Sequence, residues 1–131
     1  MRTQGLIIGL GLVMATSAWA ASIEGTTWKV QLAPDAQAKA QGEKPGKDTL
    51  IFRKGQFTST GCVRYGFKAS NYTADQGQAL VTWVSDQQSK RQGVTHWEGT
   101  VNGNAIQGTM SWKRPDGKLF NYTFSGKRKS G

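Results

Sequence analysis

The sequence predicts an all-β chain: an antiparallel up-and-down barrel of about eight strands, with one short helical turn in its first long loop. Three observations carry that expectation. Between Gly93 and Gly126, the turns Asn102-Gly103-Asn104 and Pro115-Asp116-Gly117 separate segments in which polar and apolar residues alternate. Asn and Gly accept positive φ, and Pro-Asp-Gly sets up a type I turn followed by a glycine bulge. Alternation with a period of two recurs upstream in short segments bounded by turn residues. Finally, the chain has 131 residues and one cysteine, Cys62. A small domain without an internal disulfide must rely on packing and edge closure, which a barrel supplies. A two-sheet sandwich is the alternative architecture.

The chain opens with Met1-Arg2-Thr3-Gln4, continues through the apolar run Gly5 to Ala15 and ends that region with Ala18-Trp19-Ala20. A positive start, a short apolar core and an Ala-x-Ala end describe a secretory signal peptide. Cleavage after Ala20 leaves residues 21–131 as a single barrel domain. The apolar run is too short to span a bilayer and no second one follows, so no transmembrane segment is expected. The predicted destination is the periplasm or the medium.

The first strand is Gly25 to Leu32, with Thr26, Trp28, Val30 and Leu32 on one face. Ala33 to Lys47 breaks the alternation. Its Ala- and Gln-rich centre after Pro34 predicts a helical turn or two, ended by Gly42. Asp48 to Lys54 and Gln56 to Thr60 form a hairpin turning at Lys54-Gly55, which sets Phe52 against Phe57 and Leu50 against Ser59. Past Gly61 the alternation of Val63, Tyr65 and Phe67 extends the second arm, so Gln56 to Phe67 is expected as one long strand kinked at the glycine. Asn71 to Thr73 is a short strand and Ala79 to Ser85 the fifth, followed by a polar loop, Asp86 to Gln92. In the last three strands, a turn at Asn102-Gly103 sets Gly93, Thr95, Trp97 and Gly99 against Trp112, Met110, Gly108 and Ile106. The next turn sets Phe120, Tyr122, Phe124 and Gly126 against the same four. One face of this meander is apolar, with large residues across from glycines; the other is polar and includes His96, Glu98 and Thr109.

The Gly25-Thr26-Thr27-Trp28 opening, the long first loop, the successive hairpins and the strand Trp97-Glu98-Gly99-Thr100-Val101 together resemble the calycin barrels, the group of lipocalins, avidins and small bacterial relatives. In pattern the resemblance covers most of the mature chain. It implies a closed barrel that holds a small ligand, or one that blocks an exported enzyme, as periplasmic protease inhibitors built on that plan do. The chain departs from lipocalins in having two residues between Gly25 and Trp28, where they have Gly-x-Trp, and in lacking a C-terminal helix. Biotin-binding positions do not carry over.

Little in the sequence signals catalysis. His96 is the single histidine and falls on the polar outer face. A Cys62–His96 pair has no third, orienting group. One His and one Cys make no zinc site, and the carboxylates show no paired spacing. No catalytic residue, metal or cofactor is therefore expected. Removal of Arg2 with the leader leaves sixteen Lys and Arg against eight Asp and Glu, which favours encounter with anionic partners. The aromatic residues face inward rather than forming a basic stacking platform, so nucleic acid is not an expected partner. The function expected is that of a non-enzymatic exported binding protein. A hydrophobic or amphipathic anionic ligand would enter at the end carrying the Ala33–Lys47 loop, among Trp28, Trp83, Trp97, Trp112 and Tyr122, with Lys90, Arg91 and Arg114 meeting its headgroup. The alternative is an inhibitor or accessory protein that binds an exported enzyme through its end loops. A barrel of this size either fills with side chains or holds one small ligand, and composition leaves both open.

Overall fold

A computed structural model describes residues 23–130, so the expected leader and its cleavage point lie outside the described residues. The chain forms β1 (Thr27–Pro34), α1 (Ala36–Ala40), β2 (Gly46–Arg53), β3 (Gln56–Ser59), α2 (Thr60–Val63), β4 (Ser70–Gln76), β5 (Val81–Ser89), β6 (Gly93–Asn102), β7 (Ala105–Lys113) and β8 (Leu119–Arg128). The strands pair in sequence order and all antiparallel. β1 pairs with β8, Val30 opposite Gly126, and closes the barrel. The predicted up-and-down barrel is thus the observed one, and its helical turn in the first long loop is α1. Asp35 caps that turn by accepting from the Ala38 amide at 2.8 Å.

Even-numbered residues of β1 face inward and odd-numbered residues of β5 and β6 do the same, as their burial alternation shows. Trp28, Leu50, Phe52, Phe57, Trp83 and Trp97 are almost wholly excluded from solvent. Phe57 sits between two indoles, with ring centroids 5.0 Å from Trp83 and 5.1 Å from Trp97. Burying side chains of this kind contributes about 1.5–3 kcal/mol each, which is where a disulfide-free barrel finds its stability. Buried indole N–H groups usually find a hydrogen-bond partner. Trp28 donates to the Thr26 hydroxyl at 2.9 Å and Trp97 to the Thr95 hydroxyl at 3.2 Å. Trp83 Nε1 has no partner among the described residues.

The barrel has two different ends. At the lower end, Ile23 is fully buried, and Glu24 clips three elements together. Its carboxylate accepts from the amides of Lys54 and Gly55 and, at 2.7 Å, from the Tyr72 hydroxyl. The bond from Tyr72, helped by the two amides, holds Glu24 below the usual carboxylate range. The upper end carries α1 and its loop, α2, the β5–β6 turn and the β7–β8 turn.

Four local expectations are corrected. The arm from Gln56 does not continue as a strand to Phe67. Asp48 accepts from the Ser59 and Thr60 hydroxyls and, at 2.8 Å, from the Gly61 amide, and these bonds turn the chain into α2. Val63 and Tyr65 are consequently exposed, and of that run Phe67 is buried. Asp86 to Ser89 is not loop but the second half of β5. Its inward polar residues are bonded: Gln87 Nε2 donates to the Lys68 carbonyl at 2.9 Å and Ser89 Oγ to the Tyr65 carbonyl at 2.8 Å. The β4 strand is longer than Asn71–Thr73, running from Ser70 to Gln76. In the β6–β7 hairpin the two-residue loop is Gly103-Asn104, one position downstream of the expected turn, since Asn102 pairs with Ala105. Trp97 therefore faces Met110 rather than Gly108, and Gly99 faces Gly108. A shift of two in pairing leaves every side chain on its expected face. The hairpins at Lys54-Gly55 and Pro115-Asp116-Gly117 have the expected pairings, Phe52 with Phe57 and Phe124 with Gly108.

Candidate functional site

The interior is filled from the lower end upward and opens at the top. There a cavity of about 460 Å³ lies between the α1–β2 loop, α2 and the upper ends of β6, β7 and β8. Its walls include Leu32, Trp97, Met110, Trp112 and Tyr122, and Cys62 and Tyr65 of the α2 region close one side. Lys44, Lys47 and Arg64 line it as well, together with the carboxylates of Glu43 and Asp48. A larger concavity, about 1130 Å³, is an open groove on the outside of the barrel along β5–β8 and β1, with Thr82, Thr100, Gln107, Thr109 and Thr123 among its lining. That groove is lined mainly by hydroxyls and amides, and its charged residues, Lys47 and Glu98, are of opposite sign. The upper cavity combines apolar walls with cations at one mouth, the combination that ligand sites use.

Two wall residues, Trp112 and Tyr122, are fixed by hydrogen bonds. Trp112 is held by a hydrogen bond from its indole N–H to the Gln92 carbonyl at 2.7 Å, which joins β7 to the β5–β6 turn. The Arg114 guanidinium lies 5.7 Å from the ring centroids of both Trp112 and Phe120. Tyr122 donates its hydroxyl hydrogen to the Glu43 carboxylate, tying the α1–β2 loop down beside the cavity. Burial, and then the hydrogen bond to Glu43, push the Tyr122 hydroxyl well above the usual phenol range. Cys62 is half-buried at the mouth. Burial first, with the Asp48 carboxylate adding to it, pushes its thiol up, so the thiol form dominates near neutral pH.

The expected ligand residues do not all meet here. Trp97, Trp112 and Tyr122 line the cavity, whereas Trp28 and Trp83 are packed into the core below it. Lys90 and Arg91 lie on the neighbouring β5–β6 turn, beside a shallow hollow with Gly66, Lys68 and Val94. Arg114 is committed to its stack on Trp112 and Phe120. Sequence reading missed Met110, Leu32 and Arg64, and it left Lys44 and Lys47, in the loop at the expected entry end, out of the ligand set. The position of Lys44 and Lys47 in the long first loop was the one signal that pointed to them. Cys62 and Tyr65 had none, because α2 was not foreseen.

His96 stands on the outer wall. Its Nδ1 is 2.5 Å from Asp86 and its Nε2 2.8 Å from Glu98. The bond to Asp86, seconded by Glu98, raises its pKa above the ordinary histidine value. Cys62 belongs to the upper mouth, so the two are not paired. Among the described residues no cluster of three His, Cys, Asp or Glu is arranged to hold a metal, and no helix is long and apolar enough to cross a membrane.

The fold and cavity define a closed eight-stranded antiparallel up-and-down barrel with one open end. In comparisons with protein-family models, curated proteins and solved structures, no match reaches significance.

Proposed function

We propose that this chain is a non-enzymatic binding protein of calycin type, exported after removal of residues 1–20, that takes an amphipathic anion into its upper cavity. The observation that carries the reading is the juxtaposition at that mouth. Trp97, Met110 and Trp112 share one cavity lining with Lys44, Lys47 and Arg64, and the two carboxylates in that lining, Glu43 and Asp48, are taken up by Tyr122 and by the Gly61 amide. A volume of about 460 Å³ falls in the lower part of the range that small-molecule sites occupy. An acyl chain or comparable apolar group would displace water from the aromatic wall, and its headgroup would meet the cations where their desolvation is small.

The test is titration of the purified mature chain with dodecanoate and, in parallel, with dodecanol. Both should shift the intrinsic fluorescence of Trp97 and Trp112 and slow alkylation of Cys62, with dodecanoate binding more tightly. The double variant Lys47→Glu/Arg64→Glu should lose that preference and keep dodecanol binding. If neither compound changes the fluorescence or the alkylation rate, the pocket is not a ligand site and the reading fails.

A further inference from the structure

Apart from the cavity, the collar around the upper end gathers exposed apolar side chains that the lower end, itself basic through Arg53, Lys54, Lys127, Arg128 and Lys129, does not. Among the described residues five large hydrophobic side chains are exposed, and four of them are here: Val63 at 51%, Tyr65 at 49%, Val94 at 37% and Leu119 at 54%. They are spread around one continuous collar. The Tyr65 carbonyl is bonded to Ser89 at the end of β5, and the Gln92 carbonyl of the following turn to Trp112 on β7. In the register of β6, β7 and β8, Lys113 lies between Val94 and Leu119. Arg64 is placed over the Tyr65 ring at 5.5 Å.

The charge on this collar is left unbalanced. Four carboxylates belong to the upper end, and each has internal work. Asp35 caps α1, Glu43 receives Tyr122, Asp48 anchors α2, and Asp116 accepts from the Lys118 amide and pairs with Arg114 at 3.7 Å. Among the described residues no ion pair is made by Lys68, Lys90, Arg91, Lys113 or Lys118. Single apolar side chains separated by free lysines and arginines do not make the core of a protein–protein interface, where charged residues are depleted. They suit a bilayer surface. There each apolar group inserts at the headgroup boundary and each cation faces an anionic lipid.

We propose that the upper collar docks on an anionic lipid bilayer, with Val63, Tyr65, Val94 and Leu119 inserted and the surrounding cations on the headgroups. Docking in this pose turns the mouth of the barrel toward the membrane, and it does not depend on the cavity holding a ligand.

Co-sedimentation of the mature chain with vesicles tests this. Phosphatidylcholine vesicles containing one-quarter phosphatidylglycerol should bind the protein, and pure phosphatidylcholine vesicles should bind it at least about tenfold less, with added salt closing the gap. Val63→Asp/Leu119→Asp and Lys113→Glu/Lys118→Glu alter residues outside the cavity lining. Each pair should reduce partition by about tenfold or more. Both should leave dodecanoate titration as in the parent protein, which keeps this test separate from that of the pocket and also checks folding. Lys127→Glu/Arg128→Glu, at the lower end, should bind vesicles nearly as well as the parent. Equal binding to both vesicle types, or to neither, overturns the proposal and leaves the collar to a protein partner. A loss confined to the Lys127/Arg128 variant overturns it as well, as does an Asp pair that binds like the parent.

Discussion

The Tyr122 hydroxyl on β8 donates a hydrogen bond to the Glu43 carboxylate in the α1–β2 loop. This contact fastens the longest connection of the barrel to the strand beneath it, at the edge of the cavity. Tyr72 and Glu24 make the corresponding contact at the lower end, at 2.7 Å, so each end has one tyrosine–carboxylate clip.

Removing the upper clip with Tyr122→Phe should cost about 1–2 kcal/mol, the worth of a partly buried hydrogen bond to a charged acceptor, read as a lower urea midpoint at pH 8. Amides of the α1–β2 loop should also exchange faster. The clips carry a pH signature too. Burial and then the partner carboxylate raise both hydroxyls, whereas an unfolded tyrosine ionises near pH ~10. Stability is therefore intact below that pH and falls above it, because the unfolded chain releases protons that the native hydroxyls keep. The Tyr72→Phe/Tyr122→Phe variant, weaker at pH 8, should lose stability less steeply between pH about 10 and 11.

Gly99 is the thin point of the wall. A Cβ there would lie 2.7 Å from Nε1 of Trp83, an indole packed among Phe52, Phe57 and Phe124 with little room to retreat. Gly99→Ala should destabilise by about 1–3 kcal/mol through overpacking, with a changed near-ultraviolet dichroism from the displaced indole. Gly46→Ala is the control, since a methyl group added there would have nothing within 4 Å and the φ of Gly46 is not in the left-handed region. It should be neutral or slightly stabilising. Equal costs at the two sites would mean that the Trp83 contact is not what keeps Gly99 small.

On the outer wall, His96 bridges Asp86 and Glu98, an ion pair to each when its ring is protonated. Because its native pKa is raised, the bridge contributes stability that is fully present below the unfolded histidine pKa of about 6.5 and is lost as pH rises through the higher native value. The imidazole side chain is 39% exposed, so screening keeps the effect near ~0.5 kcal/mol. His96→Gln should lower the urea midpoint at pH 6 and leave it unchanged at pH 9. A loss of the same size at both values would assign the residue a packing role instead.

The barrel was legible because alternation with period two is local and fixes the face of each residue. Trp28, Phe52, Trp97 and Phe124 could be assigned to the interior in this way, and they are buried, whereas the fifth strand is apolar on both faces and alternation did not reveal that Trp83 points inward. Tight turns with Gly at Gly55 and Gly117 also specified pairing correctly. The same rule failed past Ser59, where Val63 and Tyr65 alternate like a strand. A carboxylate eleven residues upstream of Ser59, Asp48, satisfies the hydroxyls and amide of a helical turn instead. It failed again at Gln87 and Ser89, whose polar side chains read as loop. They are buried because carbonyls of the Tyr65–Lys68 segment come to meet them.

The candidate site was the least legible part, for the same reason. Sequence alone determined that the aromatics face inward and that the chain carries excess positive charge, since both follow from residue type and local periodicity. It could not say where the aromatic filling stops. That depends on the closure of β1 onto β8, on which rings stack at the lower end, and on Tyr122 fastening Glu43 at the upper end. Those contacts join residues far apart in the chain. Only the tertiary structure therefore separates Trp28 and Trp83, which fill the core, from Trp97, buried at the floor of the cavity, and Trp112 in its wall.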